Sequence, residues 1–182
     1  SVRMAMNNEF NEASYSAKLL HTNHHNIEIS NDDFINYSLE LLKNTKKTIS
    51  VKNEVFLFYL LCKIRSKKDY KIILSGEGAD ELFFGYDRIF QWANNNQMFN
   101  LKEFDEYYSY SNHNDIEIVE YCLEPYLEKK TSLNIIKKFF QIDHLRGLLL
   151  RLDNASMEAS IEARVPFCDH RIVDYVHNAS FK

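Results

Sequence analysis

At 182 residues the chain is long enough for one domain with a packed core and short for two. Hydrophobic residues make up 45% and aromatic residues 14%, eleven Tyr and thirteen Phe among them, which argues against disorder. A net charge of −4 argues against a nucleic-acid or anionic-membrane surface, and no apolar run approaches the roughly 18–20 residues of a membrane span.

The first ten residues, SVRMAMNNEF, carry no apolar signal-peptide core. Cys62, Cys122 and Cys168 lie far apart without CxxC spacing, so they read as reduced, buried thiols of a cytoplasmic protein. Four Gly and two Pro imply long helices with few tight turns, an all-α or α/β balance.

In chain order, Ser1–Met6 reads as a short strand, and Glu9–Leu20 as a helix with apolar residues at Phe10, Ala13, Ala17 and Leu20. A His-rich turn leads to a short strand over Asn26–Ser30, and a helix begins at Asp32-Asp33 and runs to about Lys43. Asn44–Ser50 reads as a loop. Asn53–Lys67 is a strongly apolar helix that opens with Glu and closes with cations, as the helix dipole favours. Lys71–Ser75 is a short apolar run that fits a strand buried on both faces of a parallel sheet. From Asp80 onward the pattern is helical: residues 81–95, 101–110, 115–127 and 133–160. Strand–helix alternation followed by helices predicts a partial parallel sheet with crossover helices and a mostly helical second half.

Three of the four glycines, Gly76, Gly78 and Gly85, fall within KIILSGEGADELFFGYDR (Lys71–Arg88). Ligands of open parallel sheets sit at the carboxyl ends of strands, where SGEGADE would lie. Gly76 and Gly78 would let backbone approach a ligand and adopt positive φ, and N–H groups at the following helix start would favour an anion. Glu77, Asp80 and Glu81 crowd the same place. One of them suits the cap of the helix, and acids beside phosphates often share Mg²⁺. From the residues alone, a capped Gly-rich turn and a nucleotide site both remain open. The string is neither a Walker loop nor a dinucleotide fingerprint.

SGEGADELFFGYDR resembles the SGEGxDElfgGY motif of the synthetase domain of glutamine-hydrolysing asparagine synthetases. RLDNASMEASIEARVPFCDHRIV (Arg151–Val173) resembles that family's R-x-D-x-x-S-M-x-x-S-x-E-x-R-x-P-F-x-D signature, in the expected order. Ser1–Ile29 carries a weaker third match, a strand, a helix like FxEasya and an HHxI strand start. The resemblance spans nearly the whole chain. It implies an adenine nucleotide alpha hydrolase-like fold of the PP-loop ATP pyrophosphatase type.

The implied activity is ATP-dependent amide formation: MgATP adenylates the side-chain carboxylate of aspartate, and ammonia from a separate glutaminase domain attacks the acyl-adenylate. Ser75 and Gly76 would contact the nucleotide, and Val2 would line the adenine pocket. Glu77 would be the catalytic carboxylate, and Asp80 would hold Mg²⁺–pyrophosphate. The implied partners are ATP, aspartate or another carboxylate, and ammonia. Nucleic acid and membrane are not implied, and a homo-oligomer of the full-length protein is left open.

Departures from the family pattern limit the carry-over. The SGGxDS pyrophosphate loop, the later catalytic lysine in its R-x-K-x-G-F context and the glutaminase domain with its terminal Cys do not occur here. Residues 1–182 are therefore expected to be a single synthetase-type domain truncated at both ends, and inactive alone. Arg3 stands at a usually small position, Phe84 replaces the first glycine of GGY, and KTISVKNEV replaces an acidic-proline segment that recognises substrate. These departures bear on the aspartate site and not on ATP. A relative that closes a lactam or lasso-peptide ring remains an alternative, although the intact Glu77 leans towards amidotransfer. A degenerate interaction module is the other.

Among the other conspicuous residues, Glu162 and Arg164 suit a buried ion pair fixing an irregular segment, and Asp169-His170 suit the cap of a helix starting near Arg171. Adjacent His24 and His25 cannot easily share a face, so they read as structural or solvent-facing. Tyr86 is a candidate pocket wall. Tyr107, Tyr108 and Tyr110 suit a packing face with hydroxyls reaching solvent. The cysteines read as small core residues.

Overall fold

The computed structural model describes residues 2–3 (backbone only), 10–49, 51–108, 116–128 and 131–179. Contacts divide the chain into two units: residues 1–73 with 151–164, and residues 74–150 with 165–182.

The first unit opens with β1 (Val2–Arg3), α1 (Phe10–Leu19) and β2 (Ile27–Glu28). β1 and β2 pair in parallel, with Val2 opposite Ile27 and Arg3 opposite Glu28, so α1 is the crossover that parallel pairing demands. Met4–Met6 of the expected strand lie outside the described residues.

Helix α2 (Asn31–Thr45) starts slightly earlier than the two aspartates suggest, because Ser30 is its cap. The Asp33 N–H donates to Ser30 Oγ at 3.0 Å and the Ser30 N–H to Asp33 Oδ2 at 3.2 Å, a reciprocal capping box. Helix α3 (Lys52–Lys67) buries Val55, Phe58, Tyr59 and Leu61, a face wide enough to fit its near-continuous apolar sequence. The Tyr59 hydroxyl donates to Glu28 O at 2.9 Å, tying α3 to β2. Val55, Phe58 and Leu61 build a core with Leu41, Ala155, Ala159 and Ile161.

β3 (Ile72–Leu74) falls where the apolar run predicts a strand. It is not buried on both faces: Ile73 packs against the first unit's core while Ile72 and Leu74 are exposed. Among the described residues its sheet has two strands, and its partner is β4 (Glu162–Arg164), joined through the Glu162 N–H donating to Lys71 O at 2.8 Å. The segment expected to be irregular is thus a strand. The Arg164 Nε–Glu162 Oε1 pair forms at 2.8 Å but stands exposed rather than buried, so it adds little stability.

The second unit is helical. It holds α4 (Ala79–Phe83), α5 (Asp87–Asn95), α6 (Leu101–Tyr108), α7 (Ile116–Leu123) and α8 (Ser132–Phe139). A 3₁₀ turn carrying Pro125 at its second residue follows α7. The run expected to be one helix over 133–160 is interrupted: a π-helical segment, Phe140–His144, joins α8 to α9 (Leu145–Glu158). A short 3₁₀ turn, Pro166–Cys168, precedes α10 (His170–Asn178). Asp169 caps α10 as expected, accepting from the Arg171 N–H at 2.9 Å. The core gathers Ile89, Phe90 and Trp92 of α5 with Phe104, Leu123, Ile135, Ile136, Phe139 and Phe140. Each such side chain fully buried contributes about 1.5–3 kcal/mol.

No described helix is long and apolar enough to cross a membrane.

Candidate functional site

The local sequence dictates the turn after β3. Gly78 has φ +94°, a conformation an L side chain rarely adopts, and a Cβ there would stand 2.7 Å from Cys168 Sγ. Gly76, by contrast, needs no positive φ, and a Cβ there would meet nothing within 4 Å. The Ala79 N–H donates to Gly76 O at 3.2 Å and the Glu77 N–H to Ser75 Oγ at 3.3 Å, which closes the turn.

The helix expected to continue from Asp80 stops after five residues. Phe84 takes the left-handed conformation, φ +63°, where glycine is usual, and Gly85 N–H closes the end on Asp80 O at 2.9 Å. A Cβ at Gly85 would lie 2.7 Å from Asp80 Cγ, so a side chain there would displace the Asp80 carboxylate. Helix α4 is too short to add much of a dipole to the loop. Its first turn takes no side-chain cap, because Gly78 occupies that place. The capping role considered for an acidic residue is therefore not the one they have.

The loop bounds a cavity of about 320 Å³ lined by Ser75, Gly76, Glu77, Gly78, Asp80, Glu81 and Tyr86. That volume is at the lower end of small-molecule sites, about 300–1,000 Å³. Ser75, Gly76, Glu77 and Asp80 are thus brought together as the motif suggests. Val2 belongs to β1 of the first unit. The lining offers carboxylates, a hydroxyl, a phenol and backbone, and no cationic side chain. Among the described residues no three carboxylates, histidines or thiols form a ready-made metal cluster. Asp80 is exposed, so it can reach a cation that arrives with phosphates, the usual situation for Mg²⁺.

Glu81 differs from its neighbours. It is 2% exposed, accepts the Tyr86 hydroxyl on Oε1, and lies 4.0 Å from His144 Nε2. Burial, then the bond to Glu81, then the charges of Glu81, Asp80 and Glu77 push the Tyr86 phenol far above its ordinary range. Tyr86 is therefore a neutral hydroxyl held at the cavity wall, in line with its expected role. His144 Nδ1 stands 3.1 Å from the Tyr108 hydroxyl. Tyr108 thus reaches inward to a histidine, not to solvent as its packing face suggests. Tyr107 does stack on Trp92, with ring centroids 5.8 Å apart, and Tyr110 lies outside the described residues.

Sequence reasoning missed His144 altogether. Its signal is faint: one histidine in the apolar run FFQIDHLRG. Cys168 Sγ sits 3.9 Å from Glu77 O, beneath the loop, and burial raises its pKa ahead of the charges of Glu81 and Glu77. That suits packing and not a nucleophile. Cys62, with its pKa pushed up to about 11 by burial, and Cys122 pack beside the two cores. His24 Nε2 lies 2.8 Å from Asn26 Oδ1, a local contact.

The family model described as Asparagine synthase matches residues 1–182. The chain is also 34% identical over 133 residues to "Asparagine synthetase [glutamine-hydrolyzing] 3" of Bacillus subtilis (strain 168), a match covering 62% of this chain and 21% of that protein. The alignment thus spans about a fifth of the relative's length. With the SGEGADE turn, the Arg151–Val173 signature and a family match over its full length, the chain belongs to the asparagine synthase family.

Proposed function

We propose that this chain carries the nucleotide-binding and carboxylate-activating part of an ATP-dependent amide-forming ligase, with aspartate as the first substrate to test and ammonia as nitrogen donor. The observation that carries the reading is the convergence of Ser75, Gly76, Glu77 and Asp80 on one small polar cavity at the end of a strand. Membership of the family and the name of the Bacillus subtilis relative supply the reaction class.

In this reading a substrate carboxylate oxygen attacks the α-phosphorus of ATP, forming an acyl-adenylate and releasing pyrophosphate. Ammonia then attacks the acyl carbon, the amide C–N bond forms, and AMP leaves with the carboxyl oxygen. The nitrogen sheds a proton, and in this reading the Glu77 carboxylate is the base that takes it. Gly76 lets the nucleotide lie close against the turn, and Ser75 presents its hydroxyl there. Asp80 would hold Mg²⁺, which when bound offsets pyrophosphate charge. Val2 keeps the adenine-lining role that the resemblance gives it.

The fold is read as the PP-loop ATP pyrophosphatase type, which the parallel β1–α1–β2 crossover supports. We read residues 1–182 as one synthetase-type domain, working in the cytoplasm. The three free cysteines accord with a reducing compartment.

The experiment is pyrophosphate release by the whole protein, given MgATP and a panel of carboxylates with and without ammonia or glutamine. Aspartate-dependent release with asparagine as product is the expected result. No stimulation by aspartate rejects that substrate, and no release with any carboxylate rejects the ligase reading.

A further inference from the structure

Behind the cavity lies an arrangement that the reaction scheme does not use. Glu81 is almost fully buried, and a buried carboxylate is costly unless its oxygens keep their partners. One partner is the hydroxyl of Tyr86, which lines the same cavity. The His144 ring stands close by, its Nε2 4.0 Å from Glu81 Oε1, longer than a direct hydrogen bond, and its Nδ1 3.1 Å from the Tyr108 hydroxyl. A Tyr108 hydroxyl donating to Nδ1 leaves the ring proton on Nε2, directed at Glu81. The ring cannot turn freely. Phe140 lies against it at 4.6 Å between centroids, and Tyr86 meets it edge-on at 5.5 Å.

His144 closes the π-helical segment Phe140–His144, and a regular α-helix would carry the same residue to another bearing. The irregularity therefore serves to aim this side chain at α4. Glu81 and Tyr86 are lining residues and His144 is not.

We propose that His144, held by Tyr108, is a positioning residue: through Glu81 and Tyr86 it fixes the wall of the cavity and the orientation of the α4 turn that carries Asp80. The proposal rests on the ligase reading for its kinetic consequence, and its structural consequence stands apart from that reading. A misaligned wall affects the reacting geometry more than initial nucleotide capture, so kcat falls and KM for ATP hardly moves.

The test uses the whole protein with His144→Ala, His144→Gln, Tyr108→Phe and the double variant His144→Ala/Tyr108→Phe. His144→Ala is expected to lower kcat for pyrophosphate release about tenfold with KM for ATP within about twofold. His144→Gln, whose amide N–H can reach towards Glu81, recovers most of that loss. Tyr108→Phe adds nothing in the His144→Ala background, because both act through one ring. Unchanged kcat in a folded His144→Ala protein, or additive losses in the double variant, overturns the proposal.

Amide hydrogen exchange of residues 77–82 is the second readout and needs no turnover. Faster exchange there in His144→Ala, restored by His144→Gln, is expected, and unchanged exchange overturns the proposal. A wild-type protein without activity removes the ligase reading while leaving this second readout to decide the role of His144.

Discussion

The Tyr86 hydroxyl donates to Glu81 Oε1, joining a cavity-wall phenol to a carboxylate that is nearly sealed from solvent. Neither residue can be altered alone without leaving the other short of a partner. Tyr86→Phe keeps the ring against Phe140, 4.9 Å between centroids, and removes only the hydroxyl. It is expected to destabilise the protein by about 1–3 kcal/mol, the range for stripping a bond from a buried charged group. Urea denaturation at pH 7 measures it, and a change below about 0.5 kcal/mol would mean that solvent reaches Glu81 after all.

Gly78 is fixed by conformation and by space together. With φ +94° and Cys168 Sγ 2.7 Å from the place of a Cβ, Gly78→Ala is expected to cost about 2–4 kcal/mol, combining backbone strain with overpacking. Cys168→Ala in the same chain removes the sulfur and returns part of the loss, since only the steric share is relieved. Thermal melts of the single and double variants separate the two shares. A Gly78→Ala protein as stable as wild type would show that the turn can take another conformation.

Gly76 offers the opposite case. Nothing in the described structure occupies the space of its Cβ, so Gly76→Ala should leave stability within about 0.5 kcal/mol. What the methyl can obstruct is a ligand lying on the turn. KM for ATP is expected to rise about tenfold with melting temperature unchanged, equivalent to about 1.4 kcal/mol of lost binding. Equal KM values would place the nucleotide elsewhere.

Glu77→Gln removes the proposed proton acceptor and keeps its size. Amide formation is expected to fall about 10²–10⁴-fold, the usual worth of a positioned base, while ATP binding survives. A filter-binding measurement beside product assays checks both halves of that statement. Parallel loss of binding would make Glu77 a binding residue instead.

These tests also mark what could be read from the sequence. The stretch from Ser75 to Gly85 was legible because geometry restricts residue type: Gly78 at φ +94° and Gly85 close against Asp80 leave few substitutes. The parallel β1–α1–β2 unit was legible from the periodicity of short segments. The break at Phe84 was not, because a bulky residue stands where the left-handed end favours glycine. Its ring packs 4.8 Å from that of Phe90, and tertiary contact outweighs local preference. Nor was β4 legible. Three residues with charges at both ends look like a loop until the Glu162 N–H finds Lys71 O across the chain. The π segment that aims His144 leaves no compositional mark at all. It arises from how Phe140 and His144 seat among Tyr86 and Tyr108.

Tyr126 is 8% exposed, and its hydroxyl donates to Asp143 Oδ2 at 2.7 Å. Burial first, then that bond and the charge of Asp143, push its phenol up to about 12 from an ordinary 10.0. The sign follows from proton counts. Above pH 10 the unfolded chain releases this proton and the folded chain keeps it, so stability falls as pH rises. The contribution is whole below pH 10 and is lost as pH climbs through about 12. Burial also raises Tyr37, Tyr59 and Tyr86, so several phenols act in the same direction. Urea midpoints from pH 9 to pH 12 should therefore decline steeply. Tyr126→Phe should start less stable at pH 9, having lost its bond to Asp143, and decline less, closing on wild type by about 2 kcal/mol across the range. A constant gap between the two proteins would show that Tyr126 ionises equally in the folded and unfolded chains.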